Sequence, residues 1–385
     1  MNKGKSFKIM NHIINYINKK RDLYANKLIK WMISRKKEKV WLLKICMHIY
    51  SLLMIYNDYE CKYKSENHHY IQRFILENFK IKNSEKSGKI YRYEKNGKIE
   101  NISINKEAAV LKDFYSVPHI KTKVLSLMLE KRNYSFIERW GKIIIEDYII
   151  NSNELVPELD SFKASQLATY TAFQYVRTPA FKAQLKNFLL YLIEKERVNI
   201  DVFSNKNKRE LFDIILNNKL QIERKSLVEF NIINKAENRD VESLIRNKLD
   251  NLNSVLNLAC VMIGNHIAEA VYRKKLFVLS VNEPYFFILP DSGVMVYDFK
   301  KKEYFLWPYG WNFTGEAISI FFPISIDKCL VFTNFDLNIE DLRDSFIKMA
   351  IILAYHQKHK YIFSDRKDKH IQKNIDTFPL TNHFD

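Results

Sequence analysis

The chain has 385 residues, of which 47% are hydrophobic and 14% aromatic, and it contains only 8 Gly and 8 Pro. This composition excludes a chain that is disordered over most of its length, and the length predicts two hydrophobic cores or one core with a large extension. The formal net charge of +18 favours an anionic partner: nucleic acid, an acidic protein or an anionic membrane surface.

The positive charge is concentrated at the N-terminal end. Residues 1–64 contain fifteen Lys and Arg and four acidic residues, so +11 of the net charge of +18 lies there. Apolar residues recur at helical spacing beside two basic groups, which predicts two amphipathic basic helices. The residues expected to contact nucleic acid are Lys19, Lys20, Arg21, Arg35, Lys36, Lys37 and Lys39. The alternative is a solvated lysine face in a protein that is rich in Lys, Asn and Ile.

The segment Val40–Tyr56 is the best candidate for a membrane contact. It is about as long as one membrane span, but Lys44 and His48 interrupt it, and a charge inside a span is costly. It therefore predicts a buried helix, with a membrane-surface helix as the alternative. We recognise no signal peptide, and the cysteines are too scattered for a disulfide framework or a zinc site, so we expect a cytoplasmic protein. The cysteines are Cys46, Cys61, Cys260 and Cys329.

Helical spacing dominates the middle of the chain. Residues 68–79 have this spacing, and Asn96-Gly97 between two alternating segments predicts a hairpin over 90–104. Further helices are predicted over 108–115, 122–131, 135–150, 161–176, 181–196, 211–234 and 240–257.

The character of the sequence changes from residue 258 onward. Short β-branched and aromatic segments predict strands over 276–281, 285–289, 294–299 and 318–322, and residues 339–363 predict a helix and a short strand. The predicted fold class is α+β, predominantly α-helical with a small antiparallel sheet and hairpins. The predicted domains are a basic helical extension over 1–64, a core over 65–365 and a flexible tail over 366–385.

One segment carries a family resemblance. Residues 69–79, which read HYIQRFILENF, resemble the opening signature of the uncharacterised bacterial family called domain of unknown function 4238. Later pieces that resemble this family, in the same order, are Lys112–Tyr115, Arg177–Pro179, the aromatic stretch that reaches Asp291, and Phe322–Ser325. The resemblance covers about residues 65–365. The family has no established activity, so the resemblance implies an organisation of the chain without implying its chemistry.

The candidate catalytic residues are His69, Arg177 and Asp291, supported by Gln72. An imidazole, a guanidinium and a carboxylate could together hold a phosphate and supply general acid–base groups. The alternative is a buried hydrogen-bonded network that fixes the packing of the helices, because a charge in the interior must be paired.

A metal site is a second interpretation of the late aspartate. Asp291 and Asp298, with Lys300 beside the second, resemble the acidic pair of metal-dependent nucleases, which would bind Mg²⁺ or Mn²⁺. The favoured alternative is a plain turn over 290–293. His356 and His359 are spaced for zinc, but no acidic residue lies between them as the zinc-protease motif requires, so they predict a surface helix.

Two functions follow from these residues. The first is an enzyme that acts on nucleic acid, either a metal-dependent nuclease or an effector of defence or toxin type. The second is a non-catalytic binding or scaffold protein that docks on nucleic acid, an acidic partner or a membrane surface through its basic N-terminal helices. Dinucleotide-binding, P-loop and α/β-hydrolase motifs do not occur in the sequence, which disfavours those enzyme classes.

Overall fold

The computed structural model describes residues 67–82, 88–94, 97–115, 117–118, 125–126, 134–185, 249–300, 302–304 and 315–377. The predicted basic helices and their seven nucleic-acid contacts, the apolar segment Val40–Tyr56 and the predicted helix over 211–234 lie outside these residues.

The described residues alternate between helices and short strands. The helices are α1 (Arg73–Glu77), α2 (Ser135–Ile144), α3 (Ser161–Val176), α4 (Leu249–Tyr272), α5 (Glu340–His356) and α6 (Lys369–Thr377). A π-helix over Ile145–Ile150 continues α2, and residues 179–185 are also helical. The strands are β1 (Asn67–His69), β2 (Lys89–Glu94), β3 (Ile99–Ser103), β4 (Val110–Lys112), β5 (Val117–Pro118), β6 (Leu125–Ser126), β7 (Lys275–Ser280), β8 (Leu289–Pro290), β9 (Met295–Asp298), β10 (Glu303–Tyr304), β11 (Ile318–Pro323), β12 (Lys328–Thr333) and β13 (Tyr361–Ser364).

Antiparallel sheets form a larger part of the fold than the sequence predicted. A five-stranded sheet has the order β10-β9-β11-β12-β7, and a four-stranded sheet has the order β3-β2-β13-β8. β1 pairs with β4, and β5 pairs with β6. The prediction of a predominantly helical protein with a small antiparallel sheet is therefore wrong.

The missed strands have two physical causes. Every residue of β12 is buried, so this strand lacks the alternation of apolar and polar residues that identifies a half-exposed strand, and it was not predicted at all. The predicted helices over 68–79 and 108–115 overlap β1 and β4, whose pairing places His68 opposite Leu111. Strands of three residues are too short to show a period.

The five-stranded sheet separates two hydrophobic cores. Ile320 and Phe322 of β11 pack in one core with residues of α3 and α4. Phe321, between them, points to the other face and packs in a second core with residues of α5 and α6. Side chains of a strand alternate between faces, so one short strand contributes to both cores.

Several predicted elements are confirmed. β2 and β3 form the predicted hairpin, where Gly97 adopts φ +83, a conformation that favours glycine. The helices predicted over 135–150 and 161–176 are present, and α5 with β13 matches the prediction for 339–363.

Two boundaries differ from the prediction. α4 continues to Tyr272, whereas the predicted helix ends at residue 257. The second half of α4 is buried and apolar on most sides, so it lacks the polar face that would mark a helix in the sequence. The segment predicted as a flexible tail contains α6, whose Ile371 and Ile375 are fully buried. These residues lie four apart, which places them on one helix face.

The helices that carry the site pack closely. Asp160 caps α3 by accepting a hydrogen bond from the Lys163 backbone amide at 2.8 Å. The helix ends at Val176, shortly before Pro179, whose ring disfavours helical backbone at the preceding residue. α3 lies against both α2 and α4. No helix among the described residues is long and apolar enough to span a bilayer.

Candidate functional site

A row of polar side chains on α3 holds the chain segment that follows β1. The Tyr170 hydroxyl donates to Gln72 Oε1 at 2.8 Å, and Gln174 Nε2 donates to the Tyr70 carbonyl at 3.0 Å. One turn further, Arg177 donates to the His69 carbonyl. The three side chains lie at i, i+4 and i+7, so they share one helix face. This row fixes residues 69–72 against α3.

Arg177 is the most extensively contacted member of the row. Its side chain is 1% exposed and forms an ion pair with Glu138 of α2, whose side chain is 28% exposed. Its Nε donates to the Tyr115 hydroxyl at 2.9 Å, and its guanidinium lies 5.0 Å and 4.9 Å from the ring centres of Tyr115 and Tyr134. A buried guanidinium needs such partners to offset its lost hydration.

Tyr115 connects this cluster to the neighbouring elements. Its hydroxyl accepts from Arg177 Nε and donates to the Arg177 carbonyl at 3.0 Å. Its backbone amide donates to Nδ1 of the buried His68 at 2.9 Å, and the two rings stack at 5.4 Å. The preceding carbonyl, of Phe114, accepts from Lys182 Nζ at 2.8 Å and from Asn257 Nδ2 at 3.2 Å. The segment 114–115 is therefore tied to α3, to α4 and to β1.

His69 lies at the edge of this cluster and is partly exposed. Burial lowers the pKa of its imidazole below the usual 6.5, and the charge of Arg177 lowers it further, whereas the carbonyls of Ala108 and Asn105 and the charge of Glu138 raise it. Its Nδ1 is buried without a hydrogen-bond partner in the described part of the chain. The imidazole is therefore neutral at pH 7 and can act as a proton acceptor.

Asp291 organises a different part of the domain. Its Oδ1 accepts from the His359 backbone amide at 2.6 Å, and its Oδ2 accepts from the amides of Lys360 and Tyr361 at 2.8 Å and 3.1 Å. The carboxylate thus closes the turn between α5 and β13. Burial raises the pKa of the Asp291 carboxyl, and the nearby His359 and the three amide hydrogen bonds oppose that shift.

The structure brings three of the four predicted catalytic and supporting residues to one helix face. His69, Gln72 and Arg177 meet along α3, and the turn that carries Asp291 approaches this helix at Gln174. A methyl group built on Gly293 would lie 2.7 Å from Gln174 Nε2, which shows how closely the turn that carries Asp291 approaches α3. Burial raises the pKa of the Tyr70 hydroxyl, and the nearby Asp291 adds to this shift.

The predicted acidic pair has separate local partners. Asp298 ends β9, and its Oδ1 accepts from the Lys300 backbone amide at 2.9 Å. Both oxygens of Asp291 already accept backbone hydrogen bonds, so the carboxylate fits a metal poorly. In the described ranges no three His, Cys, Asp or Glu residues are grouped so that they could hold a metal. The metal site at Asp291 and Asp298 stays a prediction.

Sequence reasoning missed Glu138, Tyr115 and Gln174. Tyr115 lies in one of the pieces that resemble the family, so the resemblance could have indicated it. Glu138 and Gln174 lie within regular helices, and nothing in their local sequence marks them. Glu138 could have been sought as a carboxylate partner, because a buried arginine requires one.

The profile of a family described as "Protein of unknown function (DUF4238)" matches residues 67–374, which is well over half of the chain. The chain belongs to the DUF4238 family. The match begins at β1 and ends within α6, so the DUF4238 domain includes the whole polar network and both hydrophobic cores apart from Ile375. No curated protein and no solved structure matches the chain.

The turn that carries Asp291 is closed by its own backbone. Leu289 and Pro290 precede the aspartate, and Ser292 and Gly293 follow it. Gly293 adopts φ +67, and its amide donates to the Pro290 carbonyl at 2.8 Å.

Proposed function

We propose that this chain binds nucleic acid, with the basic segment 1–64 as the contact surface and the DUF4238 domain as its folded support. The observation that carries the proposal is the charge distribution, because 1–64 holds +11 of the net charge of +18. Lysine and arginine side chains that neutralise phosphates release bound counterions, which gives affinity without requiring recognition of a base sequence.

Two of the predicted catalytic residues, Arg177 and Asp291, have surroundings that suit a structural role better than catalysis. A phosphate that approached Arg177 would have to displace Glu138 from a guanidinium that is 1% exposed, and breaking a buried ion pair is costly. Any ligand of Asp291 would have to displace three backbone amides. Both side chains are better suited to holding the domain together.

The proposal is tested by neutralising charge at one end of the chain only. The first variant carries Arg35→Gln, Lys36→Gln, Lys37→Gln and Lys39→Gln. The control carries four substitutions at exposed lysines of the domain, Lys82→Gln, Lys89→Gln, Lys106→Gln and Lys112→Gln. Fluorescence anisotropy with a labelled DNA duplex is expected to show at least about tenfold weaker binding for the first variant, because each lost phosphate contact weakens binding. The control is expected to stay within about twofold.

Equal losses in the two variants would contradict the proposal, since they would indicate a lysine surface without a preferred face. Tighter binding to anionic vesicles or to an acidic peptide than to DNA and RNA of equal charge would also contradict the proposal. It would indicate that the partner is a membrane surface or an acidic protein.

A second candidate is a nuclease of defence or toxin type, favoured by the partly exposed neutral imidazole of His69. A neutral imidazole can accept a proton from a nucleophilic water or hydroxyl. The test is incubation of DNA and RNA with the full chain in Mg²⁺ and in Mn²⁺. Cleavage that is lost in His69→Gln and kept in His370→Gln, an exposed control, would support it. Intact substrate in both metals would reject it.

A further inference from the structure

The junction between β1 and residues 114–115 depends on an uncharged histidine. The His68 side chain is 1% exposed, and its Nδ1 accepts a hydrogen bond from the Tyr115 backbone amide at 2.9 Å. A backbone amide can only donate, so Nδ1 carries no proton and the imidazole is neutral, with its proton on Nε2. The imidazole also stacks on the Tyr115 ring, with 5.4 Å between the ring centres.

The Tyr115 ring on which His68 stacks is already in contact with two buried cations. The Arg177 guanidinium lies 5.0 Å from the centre of this ring, and Lys182 Nζ lies 4.9 Å from it. Their side chains are 1% and 7% exposed. The Glu138 carboxylate pairs with Arg177, whereas Lys182 donates to a backbone carbonyl. A proton on His68 would therefore add a third positive charge to a buried cluster, where charges of like sign repel.

Other titratable side chains lie on the elements that adjoin this imidazole. The neighbouring His69 is neutral at pH 7 because burial lowers the pKa of its imidazole. Lys112 of β4 is exposed, and Asp113 is half-buried. α2 and α4 bring a hydroxyl and an amide, those of Tyr134 and Asn257. The carboxylate in this set, that of Asp113, is partly exposed to water, which screens its charge.

We propose that His68 acts as an acid-sensitive switch in the junction between β1 and residues 114–115. A proton taken up at Nδ1 removes the acceptor of the Tyr115 amide and places two donors against each other, so the proton binds only when the junction opens. An imidazole in an opened or unfolded chain binds a proton at about pH 6.5. The stability of the junction is therefore complete above that pH and is lost as the pH falls. Residues 1–64 join the domain at β1, so opening changes how the basic segment is attached.

One substitution separates the acceptor from its titration. The side-chain oxygen of Asn is two bonds from Cβ, as Nδ1 is in histidine, so His68→Asn keeps an acceptor for the Tyr115 amide but does not titrate. In urea unfolding, the folding constant of the wild type is expected to fall up to about thirtyfold more than that of His68→Asn between about pH 7.5 and pH 5, because only the unfolded chain binds the proton. His370→Asn, at an exposed histidine, should follow the wild type. Equal falls for the wild type and His68→Asn would overturn the proposal.

Amide hydrogen exchange in the unaltered chain tests the switch even if His68→Asn does not fold. Between about pH 7.5 and pH 5, the protection of amides in β1 and in residues 110–115 is expected to fall at least about tenfold after correction for the intrinsic pH dependence of exchange. The β2–β3 hairpin contains no histidine, so it is the internal reference and is expected to lose less protection. Protection that is unchanged at β1 and 110–115, or that falls equally in the hairpin, would overturn the proposal.

Discussion

Arg177 and Asp291 show how the DUF4238 domain accommodates two buried charges. Arg177 is matched by a carboxylate, a carbonyl, a hydroxyl and two aromatic rings. Asp291 is matched by three backbone amides. Buried charges that are hydrogen-bonded in this way fix the positions of the groups around them. The contacts of these two charged residues fit the buried hydrogen-bonded network that the sequence offered as the alternative to a catalytic role.

The titration of His69 predicts how the stability of the domain depends on pH. Because burial lowers the pKa of its imidazole below 6.5, the unfolded chain binds more protons than the folded chain just below pH 6.5. The stability that His69 contributes is therefore complete above that value and is lost as the pH falls. Between about pH 7.5 and pH 5, the wild type is expected to lose more free energy of unfolding than His69→Gln. Urea titrations at each pH measure this difference.

His370→Gln serves as the reference for that experiment, because His370 is exposed. Its pH dependence should follow that of the wild type. Identical pH profiles for the wild type and His69→Gln would show that the His69 imidazole has the same pKa in both states.

The contact between α2 and α3 depends on one glycine. A methyl group built on Gly141 would lie 2.3 Å from ring atoms of Tyr170, and this ring is buried and held by its hydrogen bond to Gln72. Gly141→Ala gains about 1 kcal/mol of helix propensity, but the overlap costs about 1–3 kcal/mol or more when the neighbour cannot move. We expect a melting temperature several degrees lower, measured by circular dichroism. An unchanged or raised value would contradict the packing, and Lys142→Ala, on the exposed side of the same helix, should have little effect.

The elements that could be predicted from the sequence are those with strong local signals. Helical spacing over 161–176 marks α3, and Asn96-Gly97 marks the β2–β3 hairpin. β12 and β1 lacked such signals, because one is buried on both faces and the other has three residues. At the site, His69, Gln72 and Arg177 were candidates from the sequence, and the structure places them beside one another along α3. Their partners were not candidates, because Glu138 lies 39 residues before Arg177 and only the fold brings them together.

The whole molecule combines a folded DUF4238 domain with a strongly charged N-terminal segment. The rest of the chain carries +7 over 321 residues, whereas 1–64 carries +11. The seven basic residues predicted to contact nucleic acid all lie in that segment. The domain holds the buried Arg177 and Asp291 with its own side chains and backbone amides, so on this account its role is to support the segment.

The salt dependence of DNA binding tests this account most directly. On B-form DNA, the slope of log affinity against log salt changes by about 0.9 for each phosphate contact. A variant with Gln at positions 19, 20, 21, 35, 36, 37 and 39 is therefore predicted to bind with a slope shallower by up to about 6 than that of the wild type. An unchanged slope would show that the segment makes no phosphate contacts and would contradict the account.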